Sequence, residues 1–100
     1  MKYIYIANYL LTTREDKFEF IKYIHSFRRF KIINQKVVLN DNSLILELSD
    51  DSSIKIAKKT SELFFKNRKK IDVHIIDKIA INSKEMYIYK NDKLFKKIYI

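Results

Sequence analysis

The 100-residue chain contains no glycine, no proline and no cysteine. Without cysteine, disulfide bonds, thiol nucleophiles and thiolate zinc sites are excluded. Without glycine, the phosphate-cradling glycine loop, the dinucleotide-binding fingerprint and the glycine-based nucleophile elbow are excluded in their standard forms. These absences remove most enzyme chemistries, so we expect a binding protein rather than an enzyme.

Long apolar runs are also lacking, and none approaches the ~18 residues that a membrane helix needs. The apolar stretch near the N-terminus is interrupted by Asn8 and is followed by no small-residue cleavage site, so it predicts a strand rather than a signal peptide. A length of 100 residues with a hydrophobic share of 47% favours one domain, residues 1–100, with its own core. We therefore expect a single soluble domain in the cytoplasm.

Basic side chains are in excess, with 21 Lys and Arg against 12 Asp and Glu and a net charge of +9. Lys, Ile, Asn, Phe and Tyr are abundant and use A/T-rich codons, which indicates an AT-rich source such as a low-GC bacterium, its phage or its plasmid. Residues 1–50 hold eight basic and six acidic side chains, a net charge of +2, while residues 51–100 hold thirteen and six, a net charge of +7. Codon usage explains part of the total, so the uneven distribution carries more information about function.

The beginning of the chain predicts a strand followed by an amphipathic helix. Tyrosine alternates with isoleucine over residues 2–10, which is typical of a strand. Thr13 followed by Asp16 is a capping-box pattern, and apolar residues then recur at three- and four-residue spacings. We expect this helix to cover residues 14–30.

Further strands and polar turns fill most of the remaining chain. Clusters at 40–43 and 50–53 are expected to be turns of an antiparallel meander, because Asn and Asp tolerate positive φ better than other residues in a chain without glycine. Apolar residues predict a strand over 71–81, bent near its middle. Residues 86–100 predict a closing hairpin with Asn91-Asp92 as its turn.

One segment, residues 53–58, allows two interpretations. Its alternation favours a strand, followed by a short helix from about residue 60 to 69. Alternatively, Ser52 or Ser53 caps one long helix that runs to Asn67. Without the strand, the order becomes the β-α-β-β-α-β order of ferredoxin-like domains with an added C-terminal hairpin. In either case we expect an α+β fold, in which an antiparallel sheet has two helices packed on one face.

Basic clusters in the second half of the chain are the first candidate site. Dense lysine attracts phosphates, whose neutralisation releases counterions and gives affinity without base contacts. Solvated lysine at a helix end or an edge strand is the plainer interpretation, and both stay open. The scarcity of arginine argues against sequence-specific base reading. The candidate residues for nucleic-acid or partner binding are Lys55, Lys58, Lys59, Lys66, Arg68, Lys69, Lys70, Lys90, Lys93, Lys96 and Lys97, with Arg28 and Arg29 from the first half.

Tyrosine placement gives a second candidate site. Tyr3, Tyr5 and Tyr9 share one face of the first strand, and Tyr87 and Tyr89 share one face of a later strand. If these strands belong to one sheet, its open face would present tyrosines flanked by lysines. The flanking lysines would be Lys2, Lys90 and Lys96. Such a face would stack unpaired bases or form a protein interface, whereas half-buried packing is the plainer interpretation.

No catalytic or metal-ligating set is predicted. His25 and His74 form no metal-spaced pair, and the neighbouring carboxylates fit a helix N-terminus and a turn. We therefore expect no metal and no cofactor. One enzymatic route stays open, the metal-free cleavage of RNA by a histidine together with Arg28, Arg29 or Arg68, as in small basic toxins.

Three functions follow in order of preference. The first is a non-enzymatic binding module that docks on nucleic acid or a nucleoprotein complex through a basic surface. The second is a phage or mobile-element inhibitor that binds a host protein such as a defence nuclease, as anti-CRISPR proteins do. The third is the metal-free ribonuclease toxin. We expect no membrane partner, and the oligomeric state is not predicted.

Overall fold

Two helices and seven strands make up the part of the chain that the structure describes. The computed structural model describes residues 2–8, 13–38, 41–64 and 71–99. The elements are β1 (Lys2–Asn8), α1 (Arg14–His25), β2 (Ile32–Val38), β3 (Ser43–Leu48), α2 (Asp51–Phe64), β4 (Ile71–Ile76), β5 (Lys78–Ile81), β6 (Glu85–Lys90) and β7 (Lys93–Tyr99). They form two antiparallel sheets, one with the strand order β2-β3-β1-β4 and one with the order β5-β6-β7.

Both helices pack on one face of the first sheet, which confirms the expected α+β fold. The buried side chains of this core are Ile4, Ile6, Phe20, Ile24, Phe30, Leu44, Leu46, Leu48, Ile54 and Ala57. The first six elements run in the β-α-β-β-α-β order, which is also the order of ferredoxin-like domains. Neither helix is long and apolar enough to cross a membrane, and this holds for every helix within the described ranges.

Helix α1 begins as expected but ends five residues earlier. Thr13 is its N-cap, and the Thr13 hydroxyl accepts a hydrogen bond from the Asp16 N–H at 3.1 Å. At the other end, the Ser26 N–H and hydroxyl both donate to the Tyr23 carbonyl, at 3.1 and 2.6 Å. A serine side chain that bonds the backbone in this way competes with the next helical hydrogen bond. The chain therefore turns after residue 25, and Phe30 reaches the core from outside the helix.

The strand expected over residues 53–58 and the short helix after it are wrong, because one helix, α2, covers this region. The Asp50 carboxylate accepts a hydrogen bond from the Ser53 N–H at 2.7 Å, so Asp50 caps the helix. Hydrogen bonds from Ser53 lower the pKa of Asp50. Ile54 and Ala57 are three positions apart and both face the first sheet's core, which fits a helix but not a strand, whereas the alternation that favours a strand comes from Ile54 and Ile56. The long-helix interpretation is confirmed for residues 51–64, but the cap is Asp50 and not Ser52 or Ser53, and the expected end at Asn67 lies outside the described residues.

Asparagine and aspartate provide the positive φ angles that glycine usually provides. Asn42 has φ 50°, and the adjacent Asn91 and Asp92 have φ 53° and 62°. Asn91 and Asp92 form the two-residue connection between β6 and β7, as expected. The cluster at residues 50–53, by contrast, begins α2 instead of linking two strands.

The strand expected over residues 71–81 is divided at Asp77 into β4 and β5. The Asp77 N–H donates to the Tyr89 carbonyl at 3.0 Å, and the Asp77 carboxylate accepts from the Asn91 N–H. These bonds attach the bend to the hairpin that follows, so the chain leaves the first sheet at Asp77 and starts the second. The expected C-terminal hairpin is therefore part of a three-stranded sheet.

The second sheet covers the face of the first sheet that the helices leave open. A second core forms between the sheets, in which Tyr5, Ile45 and Ile76 of the first sheet pack with Met86 and Ile88 of β6. The molecule thus has three layers, namely the helices, the first sheet and the second sheet. The outward side of the second sheet is the remaining open sheet face of the described structure.

Candidate nucleic-acid interface

The tyrosines do not share one face, because β1 and β6 belong to different sheets. Tyr5 is only 2% exposed, and its ring packs against Phe95 with centroids 5.6 Å apart. The Tyr5 hydroxyl donates to Asp41 and accepts from Lys96 Nζ at 3.0 Å. Burial and the hydrogen bond to Asp41 raise the pKa of Tyr5. Tyr5 therefore cannot stack a base, and Tyr3 packs partly buried against the same core.

The later tyrosines lie on the open side of the second sheet. Because alternate residues of a strand point to opposite sides, Tyr87 and Tyr89 point outward while Met86 and Ile88 point into the core. Tyr87 lies opposite Lys97, and Tyr89 lies opposite Lys78. Glu85 lies opposite Tyr99. We call this surface the outer face, and its residues are Lys78, Glu85, Tyr87, Tyr89, Leu94, Lys97 and Tyr99.

On the outer face, each ammonium group lies over tyrosine rings. Lys97 Nζ is 5.7 Å from the Tyr87 ring centroid and 5.3 Å from that of Tyr99. Lys78 Nζ is 5.6 Å from the Tyr89 ring centroid. These distances lie within the range of cation–π attraction. The face therefore interleaves aromatic rings with positive charges.

Glu85 joins two of these side chains. Its carboxylate accepts a hydrogen bond from the Tyr87 hydroxyl and lies 3.0 Å from Lys97 Nζ. The bonds from Tyr87 and Lys97 lower the pKa of Glu85, and its carboxylate raises the pKa of both Lys97 and Tyr87. Near neutral pH the carboxylate and ammonium are therefore both charged and the phenol is neutral. Glu85 fixes the positions of Tyr87 and Lys97 while cancelling one positive charge.

A β-bulge decides which lysines belong to this face. Ile88 pairs with Lys96, but the next residue, Tyr89, pairs with Leu94, so Phe95 is the extra residue of β7. Phe95 and Lys96 consequently both contact the buried Tyr5. Lys96, which an unbulged hairpin would place opposite Tyr87, lies over the Tyr5 ring instead, and Lys90 lies beside His74. The expectation that these two lysines flank Tyr87 and Tyr89 is therefore wrong. Lys97 occupies the position opposite Tyr87.

Besides Lys97, which pairs with Glu85, three of the predicted binding lysines have partners within the protein. Lys96 Nζ is 2.6 Å from the Asp41 carboxylate, and Lys58 Nζ is 3.6 Å from that of Glu62. Lys90 Nζ is 3.0 Å from His74 Nδ1. Burial and the Lys90 charge lower the pKa of His74, so His74 is neutral near neutral pH and accepts this bond.

The other predicted basic residues are distributed over separate surfaces. Lys55 and Lys59 are exposed on α2, and Lys93 is exposed at the start of β7; none of the three makes an ion pair within the described ranges. Lys55 and Lys59 therefore belong to the helix layer and Lys93 to the second sheet, and these two layers cover opposite faces of the first sheet. Arg28 and Arg29 are exposed between α1 and β2. Predictions on Lys66, Arg68, Lys69, Lys70 and Tyr9 lie outside the described residues.

The histidines have different neighbours. His25 Nε2 lies 2.7 Å from Gln35 Oε1, whereas His74 contacts Lys90 and the Phe95 ring. Among the residues that the structure describes, no three His, Asp or Glu side chains come together as a metal site requires.

Sequence reasoning missed Lys78, Glu85 and Tyr99 as members of the outer face. A partial signal is present, because Glu85, Tyr87 and Tyr89 alternate along one strand and Lys97 and Tyr99 alternate along another. The pairing between them depends on the bulge at Phe95, which alternation does not reveal. Comparison with models of known protein families, with curated proteins and with solved structures finds no match for this chain.

Proposed function

We propose that this protein is a binding module for single-stranded nucleic acid and that the outer face is its contact surface. The observation that carries the proposal is the set of three tyrosine rings interleaved with two lysine ammonium groups on one open sheet face. Sheets that bind single strands stack unpaired bases on such rings, and each stacked base contributes about 1–3 kcal/mol. The rings accept bases, and the lysines neutralise phosphates.

Single strands suit this face better than duplexes. A tyrosine ring stacks only on a base whose own face is accessible, which an intact duplex does not offer. The outer face contains no arginine, the residue most used to read base pairs in the major groove. It also combines Lys78 and Lys97 with the acidic Glu85, so its positive charge is modest. Stacking is therefore expected to contribute more than phosphate attraction.

Binding is tested with nuclease-treated protein and a fluorescently labelled oligouridine or oligothymidine of about 12 nucleotides, a length within the site sizes of known single-strand binders. At about 50 mM salt, fluorescence anisotropy is expected to show saturable binding that the matching duplex does not compete away. Tyr89→Ala is expected to weaken binding about tenfold, while Tyr89→Phe keeps the ring and binds within about twofold of the wild type.

The matched control is the double variant Lys55→Ala, Lys59→Ala, which removes two exposed charges from the helix layer and leaves the outer face intact. It is expected to bind like the wild type. Absence of binding by the intact protein at this salt concentration would reject the proposal, as would equal losses in the tyrosine and control variants.

A protein partner is the alternative that a specific observation favours. Leu94 and Tyr99, both on the outer face and both in β7, are 52% and 64% exposed, and an exposed apolar patch is typical of protein interfaces. This observation supports an inhibitor that covers a surface of a host protein. Its signature is a stoichiometric complex with one host protein that survives nuclease treatment and is lost in Leu94→Asp.

A further inference from the structure

A small cavity lies between the two sheets, on the side where β2 and β5 are the edge strands. Its volume is about 190 Å³. Buried Ile45 and Met86 form part of its apolar lining, while Asn34 and Lys36 are exposed. The lining residues are Tyr3, Asn34, Gln35, Lys36, Ile45, Glu47, Ile79, Ile81 and Met86. The cavity thus combines an apolar interior with an amide, an ammonium and a carboxylate near its opening.

Strand register places the polar groups side by side. Glu47 lies opposite Tyr3 on β1 and opposite Asn34 on β2, and Lys36 lies opposite Ile45. Within the described ranges, neither Glu47 nor Lys36 makes an ion pair. Their carboxylate and ammonium groups are therefore available to a ligand.

The size and chemistry of the cavity restrict that ligand. Pockets for drug-sized molecules have volumes of about 300–1,000 Å³, so this smaller cavity suits one planar ring system. A carboxylate is best matched by two adjacent N–H donors and an ammonium by an acceptor beside them. Guanine presents N1–H, the N2 amino group and O6 along one edge. Adenine, cytosine and uracil each lack that pair of adjacent donors.

We infer that this cavity is a subsite for one unpaired guanine base of the bound single strand. Glu47 accepts from N1–H and the N2 amino group, Lys36 donates to O6, and Tyr3 lies beside the ring. The inference rests on the proposed function and extends it from general stacking to a preference for one base.

The position of β5 connects the cavity with the outer face. Lys78 belongs to the outer face, while Ile79 and Ile81 line the cavity from the other side of the same strand. In the described structure β5 has a paired neighbour, β6, on one side only. A single strand that lies on the outer face can therefore pass around this edge and place one base between the sheets.

The test uses an oligouridine of about 12 nucleotides with a single central guanine, and the same oligomer with inosine, adenine, cytosine or uridine at that position. The wild type is expected to bind the guanine oligomer about tenfold more tightly than the uridine oligomer, as a good bidentate contact discriminates between bases. Inosine lacks the N2 amino group and is expected to lose most of that advantage.

Two cavity variants are expected to remove the preference and to keep the affinity for oligouridine. Glu47→Gln replaces an acceptor oxygen by an N–H donor that opposes those of guanine, and Lys36→Met removes the donor to O6. Glu19→Gln, which removes an exposed carboxylate from α1, is the matched control and is expected to keep the preference. Thermal unfolding of each variant checks that it is folded.

The experiment distinguishes failure of the guanine subsite from failure of the proposed single-strand binding. Equal binding of all five oligomers by the wild type, or equal weakening of all five in Glu47→Gln, would overturn the guanine subsite and leave the proposed function intact. Absence of binding to every oligomer would reject the proposed function itself. If guanosine monophosphate alone binds as tightly as the guanine oligomer, the cavity serves a free nucleotide and the inference about the strand is wrong.

Discussion

Lys96 and Tyr5 are 91 positions apart in the sequence, yet Lys96 Nζ lies 3.0 Å from the Tyr5 hydroxyl. The same ammonium group is 2.6 Å from the carboxylate of Asp41, whose side chain is only 14% exposed. Lys96 therefore joins the second sheet to two residues of the first-sheet region. Hydrogen bonds and attraction from Asp41 and Tyr5 outweigh burial and raise the pKa of Lys96, so it stays charged at neutral pH.

Replacing Lys96 tests this structural role. Lys96→Met leaves the Asp41 carboxylate and the Tyr5 hydroxyl without their cation, and we expect it to lower the free energy of unfolding by about 1 kcal/mol, since the site is partly hydrated. Lys93→Met, at an exposed position of the same strand, is expected to change it by less than about 0.5 kcal/mol. Urea unfolding measures both. Equal stability of the two variants would contradict the assigned role.

The salt dependence of nucleic-acid binding tests Lys97. Each neutralised phosphate of a single strand adds about 0.7 to the slope of log affinity against log salt. Lys97→Met is expected to make that slope shallower by about 0.7 between about 50 and 200 mM salt, whereas Lys59→Met on α2 leaves it unchanged. An unchanged slope in the Lys97 variant would show that this lysine does not neutralise a phosphate.

The lowered pKa of His74 predicts that the protein loses stability on mild acidification. Burial and the charge of Lys90 lower its pKa below the ordinary value of 6.5, and Lys58 lowers it further. Asp72 has a smaller effect in the opposite direction. As the pH drops below about 6.5, the His74 ring is therefore protonated more readily in the unfolded chain than in the folded protein, and the free energy of unfolding falls.

The measurement is thermal unfolding at about pH 7.5 and 5.5, a range above the ordinary pKa values of the carboxylates. The melting temperature of the wild type is expected to fall over this range. His74→Gln has no titrating ring, and Lys90→Met lacks the cation 3.0 Å from Nδ1, so both are expected to show a smaller fall. An equal fall in all three proteins would argue against His74 as the cause.

The cap of α2 gives a further prediction. Asp50→Ala removes the oxygen that accepts from the Ser53 N–H and is expected to lower the melting temperature by a few degrees. Asp50→Asn keeps an acceptor oxygen and is expected to be close to the wild type. If the two variants have the same melting temperature, the side-chain cap does not stabilise the start of the helix.

Local signals predicted the local parts of the fold. Thr13 with Asp16 marked the start of α1, and Asn91 with Asp92 marked the turn between β6 and β7, because caps and tight turns depend on neighbouring residues. The strand predicted over residues 53–58 is wrong because Ile54 and Ile56 alternate as in a strand, while the pair that shares the buried face is Ile54 and Ala57, at a helical spacing. The end of α1 depends on a hydrogen bond to Tyr23, which no propensity encodes.

Long-range pairing limited what could be predicted of the candidate site. Alternation places Tyr5 and Tyr87 on faces of their own strands but does not say whether the strands share a sheet. The bulge at Phe95 moves Lys97 opposite Tyr87, and one residue of register reverses which lysines face outward. The guanine subsite joins residues of β1, β2 and β3 with residues of β5 and β6, so it follows only from how the two sheets pack.

The position of the second sheet has a consequence during protein synthesis. A ribosome adds about 5–20 residues per second, so Tyr5 is made roughly 5–20 s before Lys96, which covers it. Until β6 and β7 have been made, Tyr5 and, once synthesised, Ile45 and Ile76 have no partner sheet. The nascent chain therefore presents an apolar sheet surface to chaperones until its last strands emerge, and slow translation would prolong that exposure.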